Sequence, residues 1–381
     1  MPALSFAPTL RAAVKGADAV VVVAPQSVLT GSGCPSILDT PVQELLVELA
    51  RLVKPGDIGA VGSTLTGTAP RRLYAAVLPD RVSRGNTPTR AESIRRVIPA
   101  GDLGQYKRAA LILVLDDASH YVAAANAIAR AFPDFSMKSG PGSDLAVAIV
   151  AIDRQGNFIK ASPRVGETMN TTRAVSALVD TPPTDLNPEA YAREARRILG
   201  GLKGVKIKEI VGDALLKNKL GGIHAVGRTA LSAPRMLVAT YTPAKAKRHI
   251  ALVGKGVTYD TGGLNLKVGG VMSNMKCDMA GSAALLGAFR VLVAGGCKPR
   301  QALADPLHGR ERDRPQLLQA RRHPDPPLGE DGRDQQHRRR GAPPPRRRGL
   351  LRRPGAQGRH RDRRGDPHRR PDDRHRPPPP R

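Results

Sequence analysis

Cysteine is scarce: Cys34, Cys277 and Cys297 are the three in 381 residues. Three scattered thiols make neither a disulfide framework nor a thiolate zinc site, and they fit a reducing compartment. A long apolar run is also missing near the N-terminus. Arg11 and Lys15 precede the run Ala19–Ala24, but that run is short and Pro25 closes it. Neither a signal peptide nor a membrane span is indicated, and a cytoplasmic protein is expected. After about Ala304, lysine and aromatic residues are absent, and Arg, Pro, Gly and Asp dominate with no apolar period of 2 or 3.6. No core can be built from such a composition, so residues 305–381 are expected to be a disordered Arg/Pro-rich tail.

What is present suffices for two domains. The chain has 40% hydrophobic residues, enough to bury a core in each half of the remainder. The net charge of +28 would ordinarily point to a polyanionic partner, so its location matters. The tail holds 23 Arg and 11 Asp+Glu, contributing +12 and leaving +16 to residues 1–304. Because the tail interleaves Asp and Pro with Arg and has no aromatic to stack on bases, it argues against a nucleic-acid-binding protein, the main rival class.

Residues 1–165 alternate short apolar runs with helical stretches. Val20–Val23, Ala109–Leu115 and Leu145–Ile152 read as buried parallel strands. Pro41–Val53 and Tyr121–Phe132 read as helices. The pattern relaxes over Ser162–Asn170, then Thr171–Val179 reads as a helix ended by Asp180-Thr181-Pro182-Pro183. A domain boundary near 165 is expected. Asn187-Pro188-Glu189 is a helix start and Gly200-Gly201 its end. Val205–Val211, Met236–Thr242 and His249–Val253 read as strands of a second parallel sheet. The fold class is therefore α/β: an N-terminal α/β domain over 1–165, a second, truncated α/β domain over 166–304, and the tail.

The chemistry-bearing residues cluster after Ile250–Val253. The chain there reads Gly254-Lys255-Gly256-Val257-Thr258-Tyr259-Asp260-Thr261-Gly262-Gly263-Leu264-Asn265-Leu266-Lys267. Ligands bind at strand C-termini in open α/β sheets, and flanking glycines let the backbone approach closely. Eleven residues later Asp278 opens a helix running through Arg290, whose small residues permit close packing on the sheet. Singly, Lys and Asp in a Gly-rich loop are most often solvated turn residues. Together, two carboxylates and two amines in one crevice suggest hydrolysis with a hard metal ion, Asp260 bridging two ions and Asp278 binding one.

The segment Val253–Lys267 followed by Met275-Lys-Cys-Asp-Met-Ala-Gly281 resembles the metal-binding signature of the leucine aminopeptidase (cytosol aminopeptidase) family, with every spacing kept. Val179-Asp-Thr-Pro-Pro-Thr-Asp-Leu-Asn-Pro188 resembles that family's entry to its catalytic domain. Gly221-Gly-Ile-His-Ala-Val-Gly227 and Leu78-Pro-Asp-Arg-Val-Ser-Arg84 are similar to its probable aminopeptidase-like branch. The resemblance covers most of residues 1–304 and implies a zinc-peptidase-like catalytic domain. Two divalent ions (Zn, Mn or Mg) are implied, with Lys255 and Asp278 as ligands of the tighter one and Asp260 shared by both. It further implies that Lys267 polarises the scissile carbonyl, that substrates are peptides with a free N-terminus, and that the family assembles as homo-hexamers.

The family's second ligand cluster, Asn-Thr-Asp-Ala-Glu-Gly-Arg, is missing, which leaves about half of the ligand set and, with it, the alternative of a catalytically dead aminopeptidase-like subunit. The tail explains the gap. Gly309–Pro315 can be encoded so that a reading from the second base gives Ala-Glu-Asn-Ala-Ile-Gly-Pro. Gln335–Pro343 shifts in the same way to Asn-Asn-Thr-Asp-Ala-Glu-Gly-Arg, and Gly365–Pro371 to Ala-Thr-Leu-Thr-Gly-Ala-Gln. Three family phrases in order in one frame imply an extra base near Ala304, a sequence continuing beyond 381 in the restored frame, and little activity in the chain as written. Much of the hexamer surface would lie in the part read out of frame.

Overall fold

In the computed structural model the described residues are 1–296, apart from 83–86, 138, 140–142, 245 and 247–248. The expectations for the tail, its reading frame, Cys297 and the last residues of the second domain lie outside them, as does the Ser83-Arg84 end of the Leu78–Arg84 phrase.

The first half is built on a seven-stranded sheet. Its strands are β1 (Ala3–Phe6), β2 (Ala19–Pro25), β3 (Ala60–Leu65), β4 (Arg72–Leu78), β5 (Arg108–Val114), β6 (Ala146–Ile152) and β7 (Phe158–Ile159). The order is β1-β6-β5-β2-β4-β3, with β7 also pairing β6. All neighbours run parallel except β3 on β4 and β7 on β6. β2 lies at the centre, and all seven of its residues are buried. A strand covered on both faces must be apolar throughout, which is what Val20–Val23 displayed. Alternate residues feed two cores. Val20, Val22 and Ala24 meet α1 (Thr40–Leu52) through Val42, Leu46 and Ala50. Val21 and Val23 lie in the opposite core with α2 (Ala91–Val97) and α3 (Tyr121–Ala131).

The next helix, α4 (Pro163–Asp180), starts eight residues before the expected Thr171. The position expected for a domain boundary thus falls inside its first turn. Val165 and Met169 are buried in the core against α3, whereas Leu178 is buried in a separate cluster with Leu186, Ile198, Met279 and Ala283. Because the buried face changes along the helix, no single apolar stripe announces its start.

The second half departs from the expectation of a parallel sheet. After α5 (Pro188–Leu199), β8 (Val205–Val211) pairs antiparallel with β9 (Arg235–Tyr241) as a two-stranded sheet. The reason is visible in β8, where Lys206 and Lys208 are exposed between half-buried Val205, Ile207 and Glu209. One-sided burial belongs to antiparallel pairs, not to strands covered on both faces. Ile250–Val253 is not a strand. Among the described residues no ladder reaches it, and Ile250, Leu252 and Val253 are exposed. An extended segment without a neighbour to take up its N–H and C=O groups gains nothing from strand geometry.

The segment 271–279 is a run of 3₁₀ turns leading into α6 (Ala280–Ala294), so the α-helix proper begins two residues after Asp278. Its small residues pack on a helix, not on a sheet. A β-carbon on Gly287 would lie 3.2 Å from Val175 of α4, so the glycine permits the close α4–α6 approach. Arg290 of α6 is 2.5 Å from Glu167 of α4 and donates to the Ile198 carbonyl at the end of α5. By length and composition alone Val271–Ala294 could cross a membrane; in the fold, Ala283, Leu286 and Gly287 face α4 and α5.

Candidate metal centre

Asn187 caps α5 as the sequence indicates: its side-chain oxygen accepts from the amides of Glu189 at 3.1 Å and Ala190 at 3.0 Å. This fixes the helix carrying Tyr191. Two glycines then bring the Lys255 segment against α6. A β-carbon on Gly254 would sit 2.5 Å from Ser282 Cα, and one on Gly256 would sit 3.3 Å from Ser282 Oγ. The Ser282 amide, one of the unpaired donors at the start of α6, donates to the Lys255 carbonyl at 3.0 Å.

Lys255 Nζ consequently lies 2.7 Å from Asp278 Oδ2. The distance is that of an ion pair, but the approach is not aligned as a hydrogen bond, and Asp278 Oδ2 is buried with no hydrogen-bond partner. The run of 3₁₀ turns holding Asp278 is tied down by Lys276, whose Nζ donates to the Asp180 carbonyl at 2.6 Å, a cation at the negative end of α4.

The loop 260–267 closes on itself. Gly262 has φ +90, and a β-carbon there would lie 2.3 Å from the Asn265 carbonyl oxygen, so only glycine fits the turn. Its amide donates to Asp260 Oδ1 at 2.8 Å, and the Lys267 amide donates to the Thr261 carbonyl at 2.9 Å. Lys267 Nζ is thereby placed 3.3 Å from Asp260 Oδ2. The Gly262 amide, with Lys267 and then Lys255, holds the Asp260 carboxyl below its usual range. Asp278, and more weakly Asp260, push the Lys255 ammonium above its usual range. All four sequence-selected residues therefore form two adjacent, mutually influencing ion pairs on one surface.

A family model for the cytosol aminopeptidase family catalytic domain matches residues 173–303, and one for the M17 aminopeptidase N-terminal domain 2 matches residues 49–141. Over these residues the chain belongs to the cytosol aminopeptidase family. Leucine aminopeptidase 1 of Caenorhabditis elegans is 38% identical over 227 residues, covering 58% of this chain and 45% of that protein. Human "Probable aminopeptidase NPEPL1" is 35% identical over 235 residues, covering 58% of this chain and 43% of its own length. The chain thus spans less than half of the curated relatives it matches. Among solved structures, a leucyl aminopeptidase of Leishmania major in complex with actinonin superposes with a TM-score of 0.63 at 29% identity, over 77% of this chain and 57% of that one. The mixed α/β fold is that of leucine aminopeptidases.

The family's metal dependence can be tested against this chain's donors. Among the described residues no group of three or more His, Cys, Asp or Glu side chains is placed to hold a metal ion. Asp260 and Asp278 supply two negative charges, each already facing a lysine ammonium, and the buried Asp278 Oδ2, which meets Lys255 Nζ at 2.7 Å without an aligned hydrogen bond, is an acceptor suited to a cation. That set would suit one hard divalent ion at most, and the ion would have to displace the Lys255 and Lys267 ammonium groups from the carboxylates, Lys255 giving up its proton to become a further ligand; two ions would leave positive charge uncompensated. Tyr191, Ser282 and Lys276, which brace this cluster, were not singled out by sequence reasoning. The one signal available was Ser282's place at the third position of a helix.

Proposed function

We propose that this protein is a metal-dependent aminopeptidase of the leucyl type, cleaving N-terminal residues from peptides in the cytoplasm, and that the chain as written retains only part of its metal centre. The observation that carries the reading is the convergence of Lys255, Asp278, Asp260 and Lys267 within a segment matching the family's catalytic domain. Lys255 and Asp278 would hold one ion, with Asp260 beside it; zinc, manganese or magnesium suits such hard donors. A related structure, the bottromycin maturation enzyme BotP, is described in complex with Mn.

A divalent ion would supply Lewis acidity to the scissile carbonyl and an anchor for the free amine of the substrate. The contribution of Lys267 is its ammonium. Freed from Asp260, it would face the oxygen that becomes negative as water adds to the carbonyl carbon. The C–N bond then breaks, and the proton from water goes to the leaving amine. The missing carboxylates leave a second ion without compensating charge, so weak activity is expected.

The test is manganese binding and hydrolysis of leucine p-nitroanilide by the full chain. Saturable binding of a single ion, lost in Asp278→Asn, with turnover near background, is the expected result. Unchanged binding in Asp278→Asn overturns the ligand assignment, and brisk turnover with two ions bound overturns the impairment.

A further inference from the structure

The segment that carries Lys255 is held by little. No strand ladder reaches 250–258 among the described residues, and the one backbone bond that fastens Lys255 is the donation from the Ser282 amide to its carbonyl. How firmly Ser282 itself is held therefore sets how firmly Lys255 is placed.

Ser282 Oγ donates its one proton to the Met279 carbonyl at 2.8 Å. The hydroxyl of Tyr191 lies 2.8 Å from the same oxygen, and since the serine proton is already used, Tyr191 must be the donor. Tyr191 is half-buried at the edge of the cluster formed by α4, α5 and α6. Burial pushes its phenol pKa up, so the group keeps its proton and donates throughout the neutral range. The same ring approaches Gly256, where a β-carbon would lie 3.9 Å from Tyr191 Cε1.

We propose that Tyr191 is a positioning residue for the metal centre: through Ser282 it locks the start of α6 against Gly254–Gly256 and so sets the Lys255–Asp278 separation. The proposal deepens the aminopeptidase reading and rests on it for the role of Lys255. Tyr191 itself touches neither substrate nor ion in this scheme. Its phenol acts two hydrogen bonds behind Lys255, through Ser282, so the low end of the roughly 10-fold to 100-fold loss of metal affinity that follows removal of a ligand's direct support is expected.

The test uses Tyr191→Phe, Ser282→Ala and the double variant in the full chain. Two quantities are read: manganese affinity, and hydrogen-exchange protection of the Ser282 amide in metal-free protein, with thermal unfolding as the check on folding. Tyr191→Phe is expected to weaken manganese binding on the order of ten-fold and to speed exchange at Ser282. Ser282→Ala should do the same and the double variant little more, because both cut one chain of bonds. Unchanged exchange at Ser282 in a folded Tyr191→Phe protein overturns the proposal, as does a fall in unfolding temperature with manganese affinity intact. Failure of the wild-type chain to bind manganese would sink the metal reading instead; the exchange measurement still decides the positioning role.

Discussion

Replacing Gly254 with alanine introduces a carbon 2.5 Å from Ser282 Cα, 2.9 Å from Ser282 N and 3.1 Å from the Gly281 carbonyl oxygen. All are backbone atoms in the first turn of α6, so no rotamer change relieves the overlap. Two responses are open to the chain. Keeping the contact resembles overpacking a core and costs about 1–3 kcal/mol. Peeling the segment away gives up the Ser282–Lys255 backbone bond, with a net worth of about 1 kcal/mol. Little else is forfeited, because Ile250–Val253 has no ladder to break. Peeling is cheaper, so Gly254→Ala should lower global stability by about 1 kcal/mol while carrying Lys255 away from Asp278. Gly201→Ala is the matched control. Gly201 has φ +79 with nothing within 4 Å of a β-carbon, so alanine there bears left-handed strain of about 1 kcal/mol and leaves the site intact. Urea unfolding should show similar losses in both variants, whereas fast exchange at the Ser282 amide should appear in Gly254→Ala alone. A Gly254→Ala protein with Ser282 as protected as in the wild type would refute the close approach and everything built on it.

Two further outcomes bear on the framework. Glu92 in the first turn of α2 binds Arg95 and Arg96, which hold its carboxyl down to about 2 from an ordinary 4.5. A carboxylate depressed by folding stabilises the fold above its unfolded pKa and loses that contribution as the pH falls through the folded one. The advantage of wild type over Glu92→Gln should be full above about pH 4.5 and gone near pH 2, as read from urea midpoints across that range. An advantage that persists unchanged at pH 2 would contradict the assignment. In the α4–α6 contact, Gly287→Leu would force a side chain into Val175 and Thr171, already 3.2–3.4 Å from a bare β-carbon. A loss of about 1–3 kcal/mol in urea unfolding is expected, and a neutral result would mean that the helices are not so close.

Three strands of the first sheet were legible because they are largely buried and so are apolar with little interruption: Val20–Val23, Ala109–Leu115 and Leu145–Ile152 lie within a residue or two of β2, β5 and β6, whereas β1, β3, β4 and β7 were not singled out. Asn187 could be read as a cap for a similar reason, since one short side chain must meet two free amides. The errors arise where the partner, not the segment, decides the structure. Ile250–Val253 has the composition of a strand but no neighbour to pair with among the described residues. β8 carries its answer in the Val-Lys-Ile-Lys alternation, whose one-sided burial marks an antiparallel pair and not a strand of a parallel sheet. The charged cluster was legible: Lys255, Asp260, Lys267 and Asp278, picked out by their spacing among glycines, lie in two ion pairs. Tyr191 and Ser282 were not, because a hydroxyl pair 91 residues apart leaves no periodic or compositional trace.

α4 also bears on the order in which the chain can be assembled. Starting a helix fixes several residues for one hydrogen bond, a cost that short segments recover only through packing. Val165 and Met169 offset it within the first sheet's core, so the start of the rod can form without anything beyond Asp180. Its far end then projects Val175 and Leu178 as a preformed template, and α5 and α6 have only to dock on a surface that already exists. For a segment with so small a core of its own, being seeded by its neighbour lowers the entropic barrier that it would otherwise meet alone.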